Sequence, residues 1–246
     1  MKEEILKSEG VCLFCKKNFA QQGIIRHLST HLTKMEGDGK QKRGFSFLVH
    51  VKVTEMFLAL WVDGSTSFDE LDFFLRKIWL ECCGHMSAFV DPKGSYIHPK
   101  DENADDWFFE PNPNEVPMGM EVEQVFTKGK KLRYEYDFGS TTQLDIQVKG
   151  IYNIAASDPI VLLSRNEPLK LLCHSCGKKA ATDICIEHSW EGPEWFFCPK
   201  CAKKHAKTCD AFEDYARMPV VNSPRMGVCA YEGGDIDKER DGVYKL

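Results

Sequence analysis

The chain has 246 residues, of which 43% are hydrophobic and 28% charged, proportions that are ordinary for a folded globular protein. This length allows one substantial domain together with small modules. No stretch offers the roughly 18 apolar residues that a membrane-spanning helix needs, and the charged N-terminus lacks the apolar run of a secretory signal. The sequence therefore predicts a cytoplasmic protein without a membrane partner.

Charge is distributed unevenly along the chain. Residues 1–43 carry nine Lys and Arg against five Asp and Glu, whereas residues 44–165 carry eleven against nineteen. An acidic surface repels nucleic-acid phosphates, so only the N-terminal arm is electrostatically suited to nucleic acid. The alternative is that its basic residues form an ordinary solvated face.

Residues 8–34 have the ligand spacing of a small zinc finger. Two residues separate Cys12 from Cys15, three separate His27 from His31, and eleven lie between the pairs. Both histidines share one helix face, so both imidazoles can bind one zinc ion. The segment resembles the two-cysteine, two-histidine finger family, although the usual central spacing is one residue longer. The alternative is a helix with exposed histidines and a free pair of thiols.

The finger is poorly equipped to read a DNA sequence. Fingers of this family contact bases from helix positions −1, 3 and 6, which are Ala20, Gly23 and Arg26 in this chain. Only Arg26 can hydrogen-bond a base edge with specificity. Phosphate binding is a separate alternative that uses six basic residues: Lys16, Lys17, Arg26, Lys34, Lys42 and Arg43.

A linker and the main domain follow the finger. Residues 35–44 are rich in glycine and charge and have no apolar period, which predicts a flexible linker. Residues 45–168 predict the main folded domain. Apolar and polar side chains alternate over Phe45–Val53 as in a half-buried strand, and Met56–Val62 is an apolar run typical of a strand buried on both faces.

One helix and several more strands complete this domain. Ser67 and Glu70 form a capping box before an apolar stripe, which predicts an amphipathic helix over 68–82. An acidic, proline-rich stretch over 99–119 predicts a long surface loop. Further strands are predicted over Met86–Val90, Tyr96–Ile97, Val122–Thr127 in a hairpin with Leu132–Phe138, and Thr142–Val148. This order predicts an α+β fold with a mainly antiparallel sheet and one principal helix.

Several motifs of the main domain are similar to those of a known family. They are Gly84-His85-Met86 with Phe89, then Tyr134-Glu135-Tyr136-Asp137-Phe138-Gly139, and the run over 160–168. Residues 45–168 resemble the Ri-plasmid ORF-three-like proteins of plasmids, mobile elements and prokaryotic genomes. The resemblance implies a fold and a prokaryotic or mobile-element context but no activity. Many members follow the glycine with an acidic residue, a tryptophan and a histidine, where this chain has Ser140, Thr142 and Leu144.

Eight candidate metal ligands lie in four pairs within residues 169–212. The pairs are Cys173/Cys176, Cys185/His188, Cys198/Cys201 and His205/Cys209. Two side chains of one turn can bind the same ion, and a tetrahedral zinc ion needs two such pairs. We expect pairs one and three to bind one zinc ion and pairs two and four another. This order resembles the cross-braced B-box and related modules, which mostly bind proteins; the alternative is one zinc ribbon of the first and third pairs.

Residues 213–246 predict an ordered strap followed by a frayed tail. Single cysteines outside the ligand pairs are predicted to be small buried apolar residues; these are Cys82, Cys83 and Cys229. An exposed aromatic patch for a partner is predicted from Trp190, Trp195, Phe196 and Phe197.

The ligand sets also bear on catalysis. A catalytic zinc ion keeps one position for water, whereas each motif here supplies four protein ligands. The sequence therefore predicts three structural Zn²⁺ ions, no catalytic residue and a non-enzymatic interaction protein with a protein partner. The alternative is nucleic-acid binding through the finger and linker. A third hypothesis is a hydrolase in which His85, His98 or Asp137 converge in a cleft.

Overall fold

The computed structural model describes residues 8–98, 115–188 and 195–235. The chain forms two compact units. Within the described residues, the sheet unit comprises residues 8–75, 85–98 and 115–167, and the cysteine-rich unit comprises residues 76–84, 168–188 and 195–235. None of the described helices combines the length and apolarity needed to cross a bilayer.

The sheet unit begins with the ββα module that the finger spacing predicts. Strands β1 (Glu9–Val11) and β2 (Asn18–Ala20) pair in antiparallel fashion, and helix α1 (Gln21–Gly37) follows them. This helix, and not the one in the main domain, is the longest in the described chain. Half of the predicted linker over 35–44 lies in regular elements, because α1 continues through Gly37 and the next strand begins at Arg43.

An eight-stranded sheet confirms the predicted α+β fold. Its strands are β3 (Arg43–Val53), β4 (Met56–Asp63), β5 (Ser87–Val90), β6 (Tyr96–His98), β7 (Glu115–Pro117), β8 (Lys131–Tyr136), β9 (Thr142–Ile154) and β10 (Ile160–Arg165). The spatial order is β10-β4-β3-β9-β8-β5-β6-β7, and all neighbours are antiparallel except β6 and β7. The prediction of a mainly antiparallel sheet is therefore correct. The predicted loop over 99–119 lies largely outside the described residues, and its last part contains β7.

The strand predicted over Val122–Thr127 is wrong. Val122–Gln124 forms a 3₁₀ turn, and the hairpin partner of β8 is β9. Val122 and Phe126 are both buried, and Phe126 N donates to Val122 O at 2.7 Å. The alternating apolar residues therefore belong to a buried turn, because alternation over a few residues fits either structure.

Helix α2 (Phe68–Leu75) begins at the predicted capping box. Glu70 N donates to Ser67 Oγ at 3.2 Å, and Ser67 N donates to Glu70 Oε2 at 2.8 Å. These two bonds satisfy backbone donors that the first helical turn leaves without partners. The α-helix is shorter than the predicted 68–82, since Arg76–Leu80 is a π-helical segment.

The finger helix packs directly on the sheet through one face. Ile24, Leu28 and Leu32 lie one turn apart along α1 and are fully buried. They share one apolar cluster with the sheet residues Leu48 and Trp61. The apolar face of the finger helix is therefore part of the core of the sheet unit and does not form a separate small core of its own.

Backbone hydrogen bonds attach the finger to the edge of the sheet as well. Leu13 N donates to Leu163 O at 2.9 Å, and Glu167 N donates to Glu9 O at 2.7 Å. Leu163 belongs to β10, which is the outermost strand on this side. The finger thereby covers part of a strand edge that would otherwise expose unpaired backbone groups.

The cysteine-rich unit has only short elements. They are β11 (Asp183–Cys185), β12 (Phe196–Phe197), α3 (Pro199–His205) and β13 (Arg217–Pro219), together with a π-helical segment at Phe212–Ala216. The three strands form a small sheet in the order β12-β11-β13. Helix α3 has a proline at its first position, where the missing backbone N–H costs no hydrogen bond.

Truncation of Leu28 tests the packing of the finger on the sheet. We expect Leu28→Ala to lower the free energy of unfolding of the sheet unit by about 2–5 kcal/mol, because a fully buried leucine leaves a cavity. Urea unfolding followed by tryptophan fluorescence measures this change. Thr33→Ala, on the exposed face of the same helix, is the control and should cost little. Equal, small losses in both variants would contradict a shared core.

Candidate metal centres

The finger brings its four predicted ligands together. The ligand atoms of Cys12, Cys15, His27 and His31 all lie within 4.8 Å of one another. His27 Nε2 is 3.2 Å from Cys15 Sγ and 3.1 Å from His31 Nε2. Around a tetrahedral zinc ion, neighbouring nitrogen and sulfur ligands are separated by about 3.3–3.8 Å. A zinc ion therefore fits this group after a small expansion of the ligand shell.

The eight ligands of the cysteine-rich unit form two groups. One group contains Cys173, Cys176, Cys198 and Cys201, and the other contains Cys185, His188, His205 and Cys209. In each group the ligand atoms lie within 4.8 Å of one another. This grouping is the interleaved one that pair order predicts, and it also gathers the four residues that a single zinc ribbon would leave unbound.

Helix α3 connects the two groups. Cys198 precedes its first residue and Cys201 lies in its first turn, while His205 is its last residue. The side chains of Cys201 and His205, four residues apart, lie on adjacent turns of one helix face. A seven-residue helix thereby presents ligands to both groups and fixes their separation.

Two of the cysteine turns have the same backbone conformation. Lys16 N donates to Cys12 O at 2.9 Å, and Gly177 N donates to Cys173 O at 2.8 Å. The residue that closes each turn has a positive φ of 59°, at Lys16 and at Gly177. Glycine adopts this conformation without strain, whereas a residue with a side chain pays about 1–2 kcal/mol. In each turn the backbone conformation brings the sulfurs of both cysteines to the same group of ligands.

Backbone N–H groups stabilise thiolates at these turns. Hydrogen bonds from the N–H groups of Lys178 and Lys179 lower the pKa of Cys176 to about 6. The N–H of Cys201 is the main cause that lowers the pKa of Cys198. Zinc binds the thiolate form of cysteine, so these donors prepare the sulfurs for a metal ion.

Other sulfurs in the same groups hold their protons more tightly. Burial, aided by the sulfurs of Cys173 and Cys198, raises the pKa of Cys201 to about 12. Burial also raises the pKa of Cys185 and of Cys12. Several crowded sulfurs cannot all become thiolates unless a cation compensates them. The ligand sets therefore favour a bound metal ion over an array of bare thiolates.

The histidine-containing group of the cysteine-rich unit lies among aromatic rings. The ring of His205 stacks on Phe197 with centroids 4.4 Å apart and meets Phe212 edge-on at 4.9 Å. Its Nε2 is buried and has no hydrogen-bond partner within the described part of the chain. Burial lowers the pKa of His205, which favours the neutral imidazole that binds metals. An orphaned buried nitrogen fits the role of a metal ligand.

The predicted exposed aromatic patch is wrong for the residues that can be placed. Phe196 and Phe197 are only 5% and 2% exposed, and Trp195 is half-buried with its ring 4.5 Å from that of His188. Trp190 lies outside the described residues. Phe197 and Trp195 pack against the ligand cysteines, whereas Phe196 belongs to a separate buried cluster with Ile184 and Met218.

The prediction that Cys82, Cys83 and Cys229 are buried apolar residues is also wrong. Cys83 and Cys229 are exposed and Cys82 is half-buried. Their sulfurs lie together, with Cys83 Sγ at 3.7 Å from Cys82 Sγ and 3.6 Å from Cys229 Sγ. Hydrogen bonds with Cys229 and then with Cys82 raise the pKa of Cys83 to about 12. No spacing rule could reveal this group, since Cys83 and Cys229 are 146 residues apart.

The residues of the two other hypotheses can be placed as well. His85 Nε2 lies 3.5 Å from Asp137 Oδ2, whereas His98 Nε2 lies 3.4 Å from Glu115 Oε2. Asp137 Oδ1 accepts from Gly139 N at 3.0 Å, and Asp137 has a positive φ of 64°. The six basic residues of the nucleic-acid hypothesis are all exposed: Lys16, Lys17, Arg26, Lys34, Lys42 and Arg43.

Comparisons with known proteins add little. No family model matches the chain, and no curated protein matches it. One similar solved structure is a protein of unknown function from Methanosarcina mazei Go1, with 16% identity and a TM-score of 0.36 over 48% of this chain and 66% of that chain. A similarity this distant carries no argument, and the resemblance to the Ri-plasmid ORF-three-like proteins stays a prediction.

Substitution of Gly177 tests the cysteine turn. A Cβ at Gly177 meets nothing within 4 Å, so the cost of Gly177→Ala comes from its positive φ alone. We expect a loss of about 1–2 kcal/mol and faster zinc release to a chromophoric chelator.

Gly39→Ala is the matched control, because Gly39 also has a positive φ (63°) with open space around it. It should show a similar loss of stability without faster zinc release. Unchanged release from Gly177→Ala would mean that the turn does not hold the metal ligands.

Proposed function

We propose that the protein is a zinc-binding, non-enzymatic interaction protein in which the bound ions are structural. The observation that carries this proposal is the number of donors. The finger and both groups of the cysteine-rich unit each offer four protein ligand atoms within 4.8 Å. Four protein ligands complete a tetrahedral shell, so no position is left for an activated water or a substrate.

The donor chemistry supports zinc as the resident ion. The three groups contain sulfur and imidazole nitrogen and no carboxylate. Such ligands suit zinc and other soft or borderline ions, whereas magnesium and calcium prefer oxygen. Lowered thiol pKa values at Cys176 and Cys198 favour the thiolates that zinc requires.

The ions have a structural task in the cysteine-rich unit. Its strands are two or three residues long and its α-helix has seven residues. Elements this short bury too little apolar area to fold stably without covalent or metal cross-links. Zinc binding would contribute folding free energy directly, as in small zinc fingers.

Support for a protein partner comes from exposed apolar side chains of the sheet unit. Met86 is 64% and Phe138 53% exposed. Their segments are adjacent, because Asp137 N donates to Met86 O at 2.9 Å. Large exposed apolar side chains on adjacent segments are a feature of contact surfaces for other proteins. This pair replaces the aromatic patch expected from the sequence.

Nucleic-acid binding is the second candidate. It is supported by the exposure of the six basic residues and by the packing of α1, which leaves Arg26 and Lys34 exposed while its apolar face contacts the sheet. Affinity for a labelled duplex that falls steeply with salt, and that Lys16→Glu with Lys17→Glu removes, would favour this candidate over a protein partner.

Metal analysis of reduced, dialysed protein tests the proposed structural ions. We expect Cys176→Ser and Cys185→Ser each to bind one zinc ion fewer than the unchanged chain, because each removes one donor from a different group of four. Both variants should also unfold at lower temperature.

Lys207→Ser is the control, since Lys207 is an exposed residue of the same unit and belongs to neither ligand group. It should keep the full zinc content. If either cysteine variant retained every zinc ion and its melting temperature, the structural role of that group would be refuted.

A further inference from the structure

Three cysteines outside the proposed zinc sites form a cluster within the cysteine-rich unit. Cys82, Cys83 and Cys229 have sulfur atoms within 4.8 Å of one another. The Cys82 and Cys83 sulfurs are 3.7 Å apart, and the Cys83 and Cys229 sulfurs are 3.6 Å apart. Sulfurs that share a tetrahedral zinc ion are separated by about 3.8 Å, as follows from Zn–S bonds of about 2.3 Å. The cluster therefore has nearly the spacing of a metal–thiolate site.

A buried positive charge faces this cluster. Arg225 is fully buried, and its guanidinium donates from Nη2 to Cys82 Sγ at 3.7 Å. Three thiolates around one divalent ion carry a net charge of −1, and a guanidinium beside one of them stabilises this charge. The position of Arg225 is therefore compatible with an anionic metal–thiolate group at the three cysteines.

The turn that carries two of the sulfurs is fixed by its neighbours. The Glu81 carboxylate accepts from Gly84 N at 2.6 Å and from Arg76 Nη1 at 2.9 Å. Cys82 and Cys83 lie between the two residues that the first of these bonds connects. Their sulfurs are therefore held in place by the protein, so a cation would meet a preformed arrangement.

The third sulfur is also held in an unusual conformation. Cys229 has a positive φ of 52°, which is strained for a residue with a side chain. The strap that carries it is anchored by Ser223, whose Oγ donates to Trp79 O at 2.6 Å. Strained residues persist where the surrounding structure enforces them, commonly at binding sites. In this conformation the Cys229 sulfur lies 3.6 Å from that of Cys83.

We propose that Cys82, Cys83 and Cys229 form an additional binding site for a thiophilic divalent cation, with zinc as the expected ion. The site joins residues 146 positions apart and ties the C-terminal strap to the Arg76–Gly84 segment of the same unit. Two of the three cysteines are exposed, so this ion exchanges faster than the ions of the four-ligand groups.

The test is native mass spectrometry of the full chain, purified under reducing, oxygen-free conditions and loaded with zinc alone. Cys83→Ala binds one zinc ion fewer than the unchanged chain and lacks the ion that a chelator removes first. Cys229→Asn behaves in the same way, because asparagine tolerates a positive φ but provides no thiolate. Glu232→Ala, an exposed change three residues after Cys229, keeps the full content and serves as control.

Two results overturn the inference. One is an equal zinc content in the unchanged chain and in both cysteine variants. The other is a loss of two protons in the reduced-purified chain without an additional zinc ion, which would identify a disulfide in place of a metal site. Cys176→Ser and Cys185→Ser are measured in parallel. If they lose zinc while Cys83→Ala does not, the structural sites stand and only the additional site fails.

Discussion

The gathering of sulfur and imidazole ligands within metal-bonding distance is the constraint on which the cysteine-rich unit and the finger depend. Within one group, backbone donors lower the pKa of Cys176 to about 6 while burial raises the pKa of Cys201 to about 12. These opposite shifts mean that the protein favours the thiolate at some sulfurs of the group and the protonated thiol at others. A divalent ion resolves the conflict, since it stabilises all the thiolates at once.

The finger packs against the sheet and is not an independent module on a flexible linker. Ile24, Leu28 and Leu32 contribute to the same buried cluster as strands β3 and β4, and Leu13 pairs with β10. A metal ion at Cys12, Cys15, His27 and His31 would therefore stabilise one edge of the sheet unit as well as the finger itself. This arrangement leaves the exposed face of α1, which carries Arg26 and Lys34, and the hairpin residues Lys16 and Lys17 for a partner.

Local signals explain which features could be predicted from the sequence. The interleaved ligand pairs, the buried strand β4 and the capping box of Ser67 and Glu70 all depend on residues a few positions apart. The strand expected at Val122–Thr127 failed because a buried turn has the same apolar alternation. The burial of Phe196 and Phe197 and the clustering of Cys83 with Cys229 depend on tertiary contacts, which neither composition nor spacing encodes.

X-ray absorption at the zinc edge tests the central claim most directly. The suitable sample is zinc-loaded Cys83→Ala, which retains the three groups of four ligands but not the additional cysteine cluster. These groups contain eight sulfur and four histidine ligands, so the predicted average shell is four-coordinate with two sulfurs for every nitrogen. Bond lengths should be about 2.3 Å to sulfur and 2.0 Å to nitrogen. A shell that includes water oxygen, or that has fewer than four protein donors, would contradict closed structural sites.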